Sequence, residues 1–263
     1  MSTVTYAVAD SATLLRRNIK NQMRYPTVVA SIIGIPVLFL LLFVYVFGNV
    51  LGKGVAASAG GTGHYVDYVL PGLIIMTAAT GSLGSAVSTS MDMTEGIIAR
   101  FKTMSIFRPA ILIARVISSV LQTLVSMALI FGVAWLMGFS ASASVADWLG
   151  ILVLLSAVNF ALTWLGVGIG LAAKTLDVAS NAPFPLILLP FVGSGIVPTS
   201  TMPTALRWFA EYQPFTPMIE TLRGLLYGTG IGNNAWIAAA WCVGISALGF
   251  AWSMKNFKKD RTR

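Results

Sequence analysis

Few side chains in this 263-residue sequence have the chemistry of a functional site. Glu220 and Arg223 stand three residues apart in an apolar segment, a spacing that places them on one face of a helix. Such a pair is either functional, because charge is costly in apolar surroundings, or a surface pair of little energetic value. His64 and Cys242 are each the sole residue of their type, so the sequence predicts no metal site and no internal disulfide.

Nucleotide chemistry is also missing from the sequence. The Gly52-Lys53-Gly54 run does not match the G-x-x-x-x-G-K-[ST] pattern that cradles phosphates. No Ser–His or Asp–Asp arrangement suggests a catalytic centre. We therefore expect a chain that is not an enzyme, that binds no cofactor of its own and that cannot hydrolyse ATP by itself.

Six long apolar runs dominate the sequence, which is 56% hydrophobic and 10% charged. An α-helix of about 20 residues crosses the hydrocarbon core, and a backbone in lipid must satisfy its own hydrogen bonds. The runs therefore predict an all-α membrane protein of one domain, residues 1–263, with six transmembrane helices. They are Val28–Phe47, Tyr68–Thr89, Ile111–Met137, Trp148–Ala173, Asn181–Val197 and Ala235–Met254.

Positive charge lies mainly on one side of these six runs. Fourteen of the 17 Lys and Arg residues fall on the side that carries both termini, and Lys53, Arg207 and Arg223 fall on the other. Basic residues concentrate on the cytoplasmic side of membrane proteins. Both termini are thus predicted to be cytoplasmic, and the net charge of +8 is a topology signal rather than a sign of nucleic-acid binding.

Two segments on the cytoplasmic side have the pattern of short amphipathic helices. Residues 4–25 predict an interfacial helix with basic side chains among lipid headgroups, or a plain juxtamembrane charge cluster. In residues 92–104, Asp92 followed by Glu95 resembles a capping arrangement. The second segment either touches headgroups or docks into a groove of a soluble partner. Its candidate contact residues are Asp92, Glu95, Ile97, Arg100, Phe101, Lys102 and Met104.

The segment between the last two runs is unusual for a loop because it is both apolar and rich in proline. Pro198, Pro203, Pro214 and Pro217 divide it into two helical pieces, Thr204–Tyr212 and Thr216–Tyr227. Apolar helices of this length would not lie in open water. We expect them to dip back into the outer leaflet over residues 204–227, where broken helices are tolerated if they pack against protein.

Within the six runs, polar side chains are sparse and uncharged. Gln122, Asn159 and Thr163 serve either as hydrogen bonds between helices or as ligands for a substrate. Ion-coupled transporters usually carry ionisable residues at membrane depth, and the runs have almost none. A transporter of this composition moves its substrate downhill or takes energy from a partner.

Several motifs resemble the membrane permeases of ABC type-2 exporters, in particular permeases of the daunorubicin-resistance type. The likeness extends over nearly the whole chain. One motif is Glu95-Gly96-Ile97-Ile98-Ala99-Arg100-Phe101-Lys102-Thr103, which is similar to the family's coupling segment, with Ile97 and Ala99 as departures. The others are Gly195-Ile196-Val197-Pro198, Met202-Pro203, Gln213-Pro214-Phe215-Thr216-Pro217, Glu220-Thr221-Leu222-Arg223-Gly224 and Tyr68-Val69-Leu70-Pro71-Gly72.

The resemblance implies more than the residues do by themselves. It implies that residues 92–104 couple to a separate ATP-binding subunit, which supplies ATP and Mg²⁺. It also implies a working unit of two permease chains, identical or different, with two ATPase copies in the cell (inner) membrane. The prolines together with Glu220 and Arg223 would form an outer gate.

We accordingly expect a permease subunit that exports amphipathic or hydrophobic compounds such as a drug, an antibiotic or a lipid. The same fold could instead export a lipid-linked glycan or polysaccharide. An ATP-independent carrier or channel, and an intramembrane enzyme or an assembly scaffold, are the alternatives from other classes.

Overall fold

Helices form the regular structure of the residues that the computed structural model describes, which are 26–48, 65–96 and 108–258. A π-helical stretch, Leu42–Val46, continues the first helix, and a 3₁₀ turn covers Thr199–Thr201. Those ranges contain no strand, so the predicted all-α class is confirmed. The nine α-helices of those ranges are α1 Pro26–Leu41, α2 Tyr65–Thr94, α3 Arg108–Leu136, α4 Val145–Ala172, α5 Leu176–Asn181, α6 Phe184–Val192, α7 Thr204–Tyr212, α8 Phe215–Tyr227 and α9 Asn234–Lys258.

Four helices in the described part of the chain, α2, α3, α4 and α9, are long and apolar enough to cross a membrane. At about 1.5 Å per residue, each exceeds the roughly 30 Å of hydrocarbon. Shorter apolar helices lie within Gly34–Val46 and Leu176–Val192. The chain is therefore a multi-pass membrane protein.

The prediction of one continuous fifth helix, Asn181–Val197, is wrong. The structure divides this region into α5 and α6, with Pro183 between them. Proline lacks the N–H that a helix interior requires, and Pro190 adds a second interruption inside α6. The nine residues of α6 span about 14 Å, less than half of the hydrocarbon core.

The predicted start of a separate coupling helix at Asp92 is also wrong. Helix α2 continues through Thr94, five residues beyond its predicted end, and places Asp92 in its last turn. Gly96 follows with a φ of 69°, a left-handed conformation that glycine adopts readily at a helix end. Residues 97–104 and the predicted interfacial helix 4–25 lie outside the described residues.

Helix α4 is set by local capping that can be read from the sequence. The backbone N–H of Ser144 donates to Asp147 Oδ2 at 2.9 Å, and the N–H of Asp147 donates to Ser144 Oγ at 3.3 Å. This reciprocal arrangement satisfies donors that a helix start leaves without partners. The next helix, α5, begins similarly, because Val178 N–H donates to the Thr175 hydroxyl at 3.3 Å.

Helix α2 lies at the centre of the bundle and α9 at its margin. The most apolar stretch of α2 is 89% buried, against 22% for that of α9. α1, α3, α4, α6 and α8 all pack against α2, whereas α9 packs mainly on α4. The exposed apolar side chains of α9, such as Trp236 and Leu248, are suited to contact with lipid.

Glycines let α4 approach α2 closely enough for backbone contact. A Cβ at Gly166 would lie 2.3 Å from the Ser82 carbonyl oxygen, and one at Gly170 would lie 2.4 Å from the Ala86 carbonyl oxygen. Such separations are impossible without moving the helices apart. Small residues therefore hold the two central helices together, as is usual where lipid removes the hydrophobic driving force between helices.

Gly166→Ala is expected to destabilise the folded protein by about 1–3 kcal/mol, because overpacking a close contact forces the backbone to shift. Thermal unfolding in detergent would show this as a lower melting temperature. Gly132→Ala is the matched control, since a Cβ at Gly132 in α3 meets no atom within 4 Å. Equal melting temperatures for the two variants would contradict the packing assigned to Gly166.

Candidate functional site

An arginine on α8 joins three parts of the bundle at the end where α2 begins. Arg223 is paired with Glu220 one turn earlier on the same helix. One guanidinium nitrogen of Arg223 donates to the Ser194 carbonyl at 2.9 Å and to the Tyr68 carbonyl at 3.1 Å. The guanidinium carbon also lies 4.0 Å from the centre of the Tyr68 ring. The predicted pair is therefore an element of tertiary structure, tying α8 to α2 and to the segment after α6.

A tyrosine one turn further along α8 extends this contact. The Tyr227 hydroxyl donates to the Asp67 carbonyl at 2.7 Å, and Tyr65 near the start of α2 donates to the Ile196 carbonyl at 3.2 Å. We call Tyr68, Ser194, Glu220, Arg223 and Tyr227 the Arg223 cluster. The Arg223 side chain is 15% exposed, so its hydrogen bonds are largely shielded from competing water.

Glycines allow the backbone to pass through this region. Gly72 of α2 and Gly195 after α6 approach so closely that a Cβ on Gly72 would lie 2.6 Å from the Gly195 Cα. Gly193 similarly faces the Gln213 side chain, whose nitrogen would lie 2.4 Å from an added Cβ. The segment after α6 is thus wedged between α2 and the α7–α8 hairpin.

The four prolines predicted for the gate shape the backbone around the cluster. Pro198 precedes the 3₁₀ turn, Pro203 precedes α7 and Pro214 precedes α8. Pro217 is buried in the first turn of α8. Proline loses no hydrogen bond at a helix start, so these residues set helix boundaries at no cost. The structure brings Glu220 and Arg223 into contact, while the prolines position the helix that carries them.

The polar residues predicted within the membrane lie between α3 and α4. Asn159 Nδ2 donates to the Val120 carbonyl at 3.0 Å, and the Thr163 hydroxyl lies 3.5 Å from Asn159 Oδ1. Both side chains are buried. Asn159 joins α4 to α3, whereas Thr163 contacts Asn159 within α4. Gln122, which is half-buried on α3, does not share these hydrogen bonds in the described structure.

The other end of α2 carries a second pair of charges, which crosses between helices. Asp92 in the last turn of α2 is paired with Arg115 of α3. Their side chains are 26% and 17% exposed. Glu95, one turn beyond Asp92, is exposed at the end of α2. The pair therefore holds together the two helices that flank residues 97–107.

An apolar groove of about 740 Å³ opens on the side of the bundle between α3, α4 and α9. Its aromatic wall has the Trp164 ring 5.0 Å from Phe250 and 6.3 Å from Phe160. The volume falls in the range of about 300–1,000 Å³ that is usual for small-molecule pockets. The groove can therefore hold the apolar part of a compound dissolved in the bilayer.

The sequence did not indicate a role for two residues near the Arg223 cluster, Tyr227 and Asp67. Tyr227 was placed within an apolar helical piece and Asp67 was not considered, because each meets the other from a distant part of the chain. Pro71, near the start of α2, was an available signal, since a proline there leaves one backbone carbonyl in need of a donor. No group of three or more potential metal ligands occurs among the described residues.

A family model described as ABC-2 type transporter matches residues 11–227, which is most of the chain. The chain belongs to the ABC-2 type transporter family. The resemblance seen in its motifs is thus confirmed.

The permease is similar to two kinds of resistance permease. It is 27% identical over 243 residues to the daunorubicin resistance ABC transporter permease protein DrrB1 of Streptomyces coeruleorubidus, covering 91% of this chain and 80% of that protein. It is 24% identical over 227 residues to the probable doxorubicin resistance ABC transporter permease protein DrrC of Mycobacterium tuberculosis, covering 85% and 79%.

These relationships fix the general role of the chain. It is a membrane permease subunit of an ABC transporter and has no catalytic activity of its own, because ATP hydrolysis belongs to a separate ATP-binding subunit. The expectation of a non-catalytic, partner-driven permease is confirmed.

Proposed function

We propose that this permease exports amphipathic or hydrophobic compounds, such as a drug, an antibiotic or a lipid, from the cytoplasm or the inner leaflet. The apolar groove between α3, α4 and α9 carries this proposal, because its walls offer almost no hydrogen-bonding atoms. A ligand rich in hydroxyl groups would leave them without partners there, at a cost of about 1–3 kcal/mol each. The groove therefore favours a hydrophobic or amphipathic substrate over a lipid-linked glycan.

The test of the cargo class is uptake by inside-out vesicles that contain the permease and its ATPase. We expect ATP-dependent accumulation of a fluorescent amphipathic dye, reduced by Phe250→Asp in the groove. ATP-dependent movement of a lipid-linked sugar without movement of any amphipathic dye would contradict the proposal and favour the glycan alternative.

Each permease chain in this proposal crosses the cell (inner) membrane six times and has both termini in the cytoplasm. α1 with its π-helical extension and the interrupted α5–α6 pair supply the two crossings beyond the four long helices. Interrupted helices are tolerated at membrane depth where they pack against protein, as α6 does against α2. α7 and α8 then form the two re-entrant helices of the outer leaflet.

The permease receives energy at the end of α2 that carries Asp92, which is the end away from the Arg223 cluster. We propose that two permease chains assemble with two ATP-binding subunits. The residues assigned to contact with an ATP-binding subunit are Asp92, Glu95, Ile97, Arg100, Phe101, Lys102 and Met104. Asp92 and Glu95 lie where α2 ends, so a push on this segment reaches the central helix directly. ATP and Mg²⁺ are held by the partner, and this chain contributes docking and transmission.

Phe101→Ala is expected to reduce transport at least about tenfold, since an aromatic anchor that fills a partner's groove often contributes 2 kcal/mol or more to binding. The ATPase should copurify less with this variant, and transport per ATP hydrolysed should fall. Phe209→Ala on α7 is the control, because it makes the same truncation at the other end of the bundle. Unchanged copurification and transport for Phe101→Ala would remove residues 92–104 from the coupling role.

A further inference from the structure

Pro71 interrupts the hydrogen-bond ladder of α2 near its beginning. It lies inside the helix, six residues after Tyr65, where each N–H normally donates to the carbonyl four residues earlier. Proline has no N–H, so the helix offers no such donor to the Asp67 carbonyl. In surroundings without water, a backbone carbonyl without a partner is costly.

The donor comes from α8 instead. The Tyr227 hydroxyl lies 2.7 Å from the Asp67 carbonyl oxygen, a normal hydrogen-bond length. Arg223, one turn earlier on α8, donates to the next carbonyl, that of Tyr68, at 3.1 Å. Two residues of α8 therefore donate hydrogen bonds to consecutive carbonyls of α2, where Pro71 interrupts the backbone hydrogen bonds of that helix.

We propose that Tyr227 is a positioning residue that closes the gap left by Pro71 and, with Arg223, latches the first turns of α2 to α8. The proposal rests on the assigned export function in one respect, which is that this end of the bundle is the outer gate. While the gate is closed and dry, the Asp67 carbonyl requires the Tyr227 hydroxyl. When α8 moves away, entering water replaces the hydroxyl, so the bond can open and close in each cycle.

The test measures exposure of the segment wedged behind the latch. In a Cys242→Ala background, Ser194→Cys places a single thiol at a site that is 2% exposed in the native protein. A membrane-impermeant maleimide should label it slowly without ATP. Tyr227→Phe should speed labelling about threefold to tenfold, the factor expected from losing one hydrogen bond. Tyr212→Phe on α7 is the control and should leave the rate unchanged.

Pro71→Ala separates the latch from a merely structural role, because alanine restores the N–H that the Asp67 carbonyl lacks. Added to Tyr227→Phe, it should recover the melting temperature, since the Asp67 carbonyl again has a donor within α2. Labelling of Ser194→Cys should stay fast, since α8 still lacks the Tyr227 hydrogen bond to α2 and is held by Arg223 alone. The double variant also keeps the test usable if Tyr227→Phe alone folds poorly.

Unchanged labelling in Tyr227→Phe would overturn the latch. Recovery of slow labelling together with stability in the double variant would also overturn it, by reducing Tyr227 to a local repair of α2. Neither readout needs transport or ATP, so a failed latch is distinguishable from a failed export function, which would show as a lack of ATP-dependent dye uptake.

Discussion

Arg223→Ala is expected to lower transport at least about tenfold and to destabilise the permease by about 1–3 kcal/mol, the usual cost of leaving buried polar groups without partners. The substitution removes donors from the Ser194 and Tyr68 carbonyls at once. It also leaves Glu220, whose side chain is 32% exposed, beside an apolar helix without its partner charge. Thermal unfolding and ATP-dependent dye uptake measure the two effects.

Arg207→Ala on α7 is the matched control for this loss. Arg207 is paired with Glu211 on the same helix at 2.7 Å, and the two side chains are 50% and 41% exposed. Exposed pairs of this kind contribute about 0–1 kcal/mol. Arg223→Lys should restore only part of the activity, because a compact ammonium cannot reach several acceptors as a planar guanidinium does. Equal effects of Arg223→Ala and Arg207→Ala would contradict a special role for the Arg223 cluster.

Charge reversal at the other end of α2 is expected to uncouple transport from ATP hydrolysis. Asp92→Arg sets two positive charges side by side where α2 meets α3, and like charges in contact cost several kcal/mol. The helices on either side of residues 97–107 should then move independently when the ATPase pushes. We expect dye transported per ATP hydrolysed to fall about tenfold, which corresponds to about 1.4 kcal/mol of lost coupling.

The exchanged variant Asp92→Arg with Arg115→Asp decides whether the ion pair itself is responsible. It restores opposite charges across the same two helices and should recover most of the coupling. Exchanging Arg207 and Glu211 on α7 is the control for charge exchange itself, made at an exposed pair within one helix. Coupling that remains low in the exchanged variant, with normal assembly, would show that Asp92 acts through other contacts.

The helices around the gate could be predicted from the sequence because prolines mark their limits. Thr204–Tyr212 was predicted with the observed bounds of α7, and α8 begins one residue before its prediction at Thr216. The fifth run shows the opposite case. Its apolarity suggested one helix, but hydropathy is insensitive to the N–H groups that Pro183 and Pro190 lack.

Local capping rules also gave a wrong prediction at Asp92, where they indicated the start of a separate helix. An acidic residue three positions before Glu95 is typical of a helix start, yet Asp92 lies in the last turn of α2, where it is paired with Arg115. Capping signals report only nearby backbone groups, and they carry no information on a neighbouring helix.

The residues that contact Arg223 and Tyr227 from distant parts of the chain could not be predicted from the sequence. Spacing of three residues predicted the Glu220–Arg223 contact correctly, because a helix fixes that geometry. Arg223 meets Tyr68 at a separation of 155 residues, and Tyr227 meets Asp67 at 160. Such contacts follow from how the helices pack, which depends on close approaches such as Gly72 to Gly195.

The central claim, a permease driven by a separate ATPase, is tested most directly by affinity purification of the tagged permease from mild detergent. Copurifying proteins would be identified, and ATP hydrolysis by the purified complex would be measured. We expect a stoichiometric P-loop ATPase whose activity depends on assembly with the permease. A permease that is recovered alone after gentle solubilisation, and that transports without ATP, would contradict it.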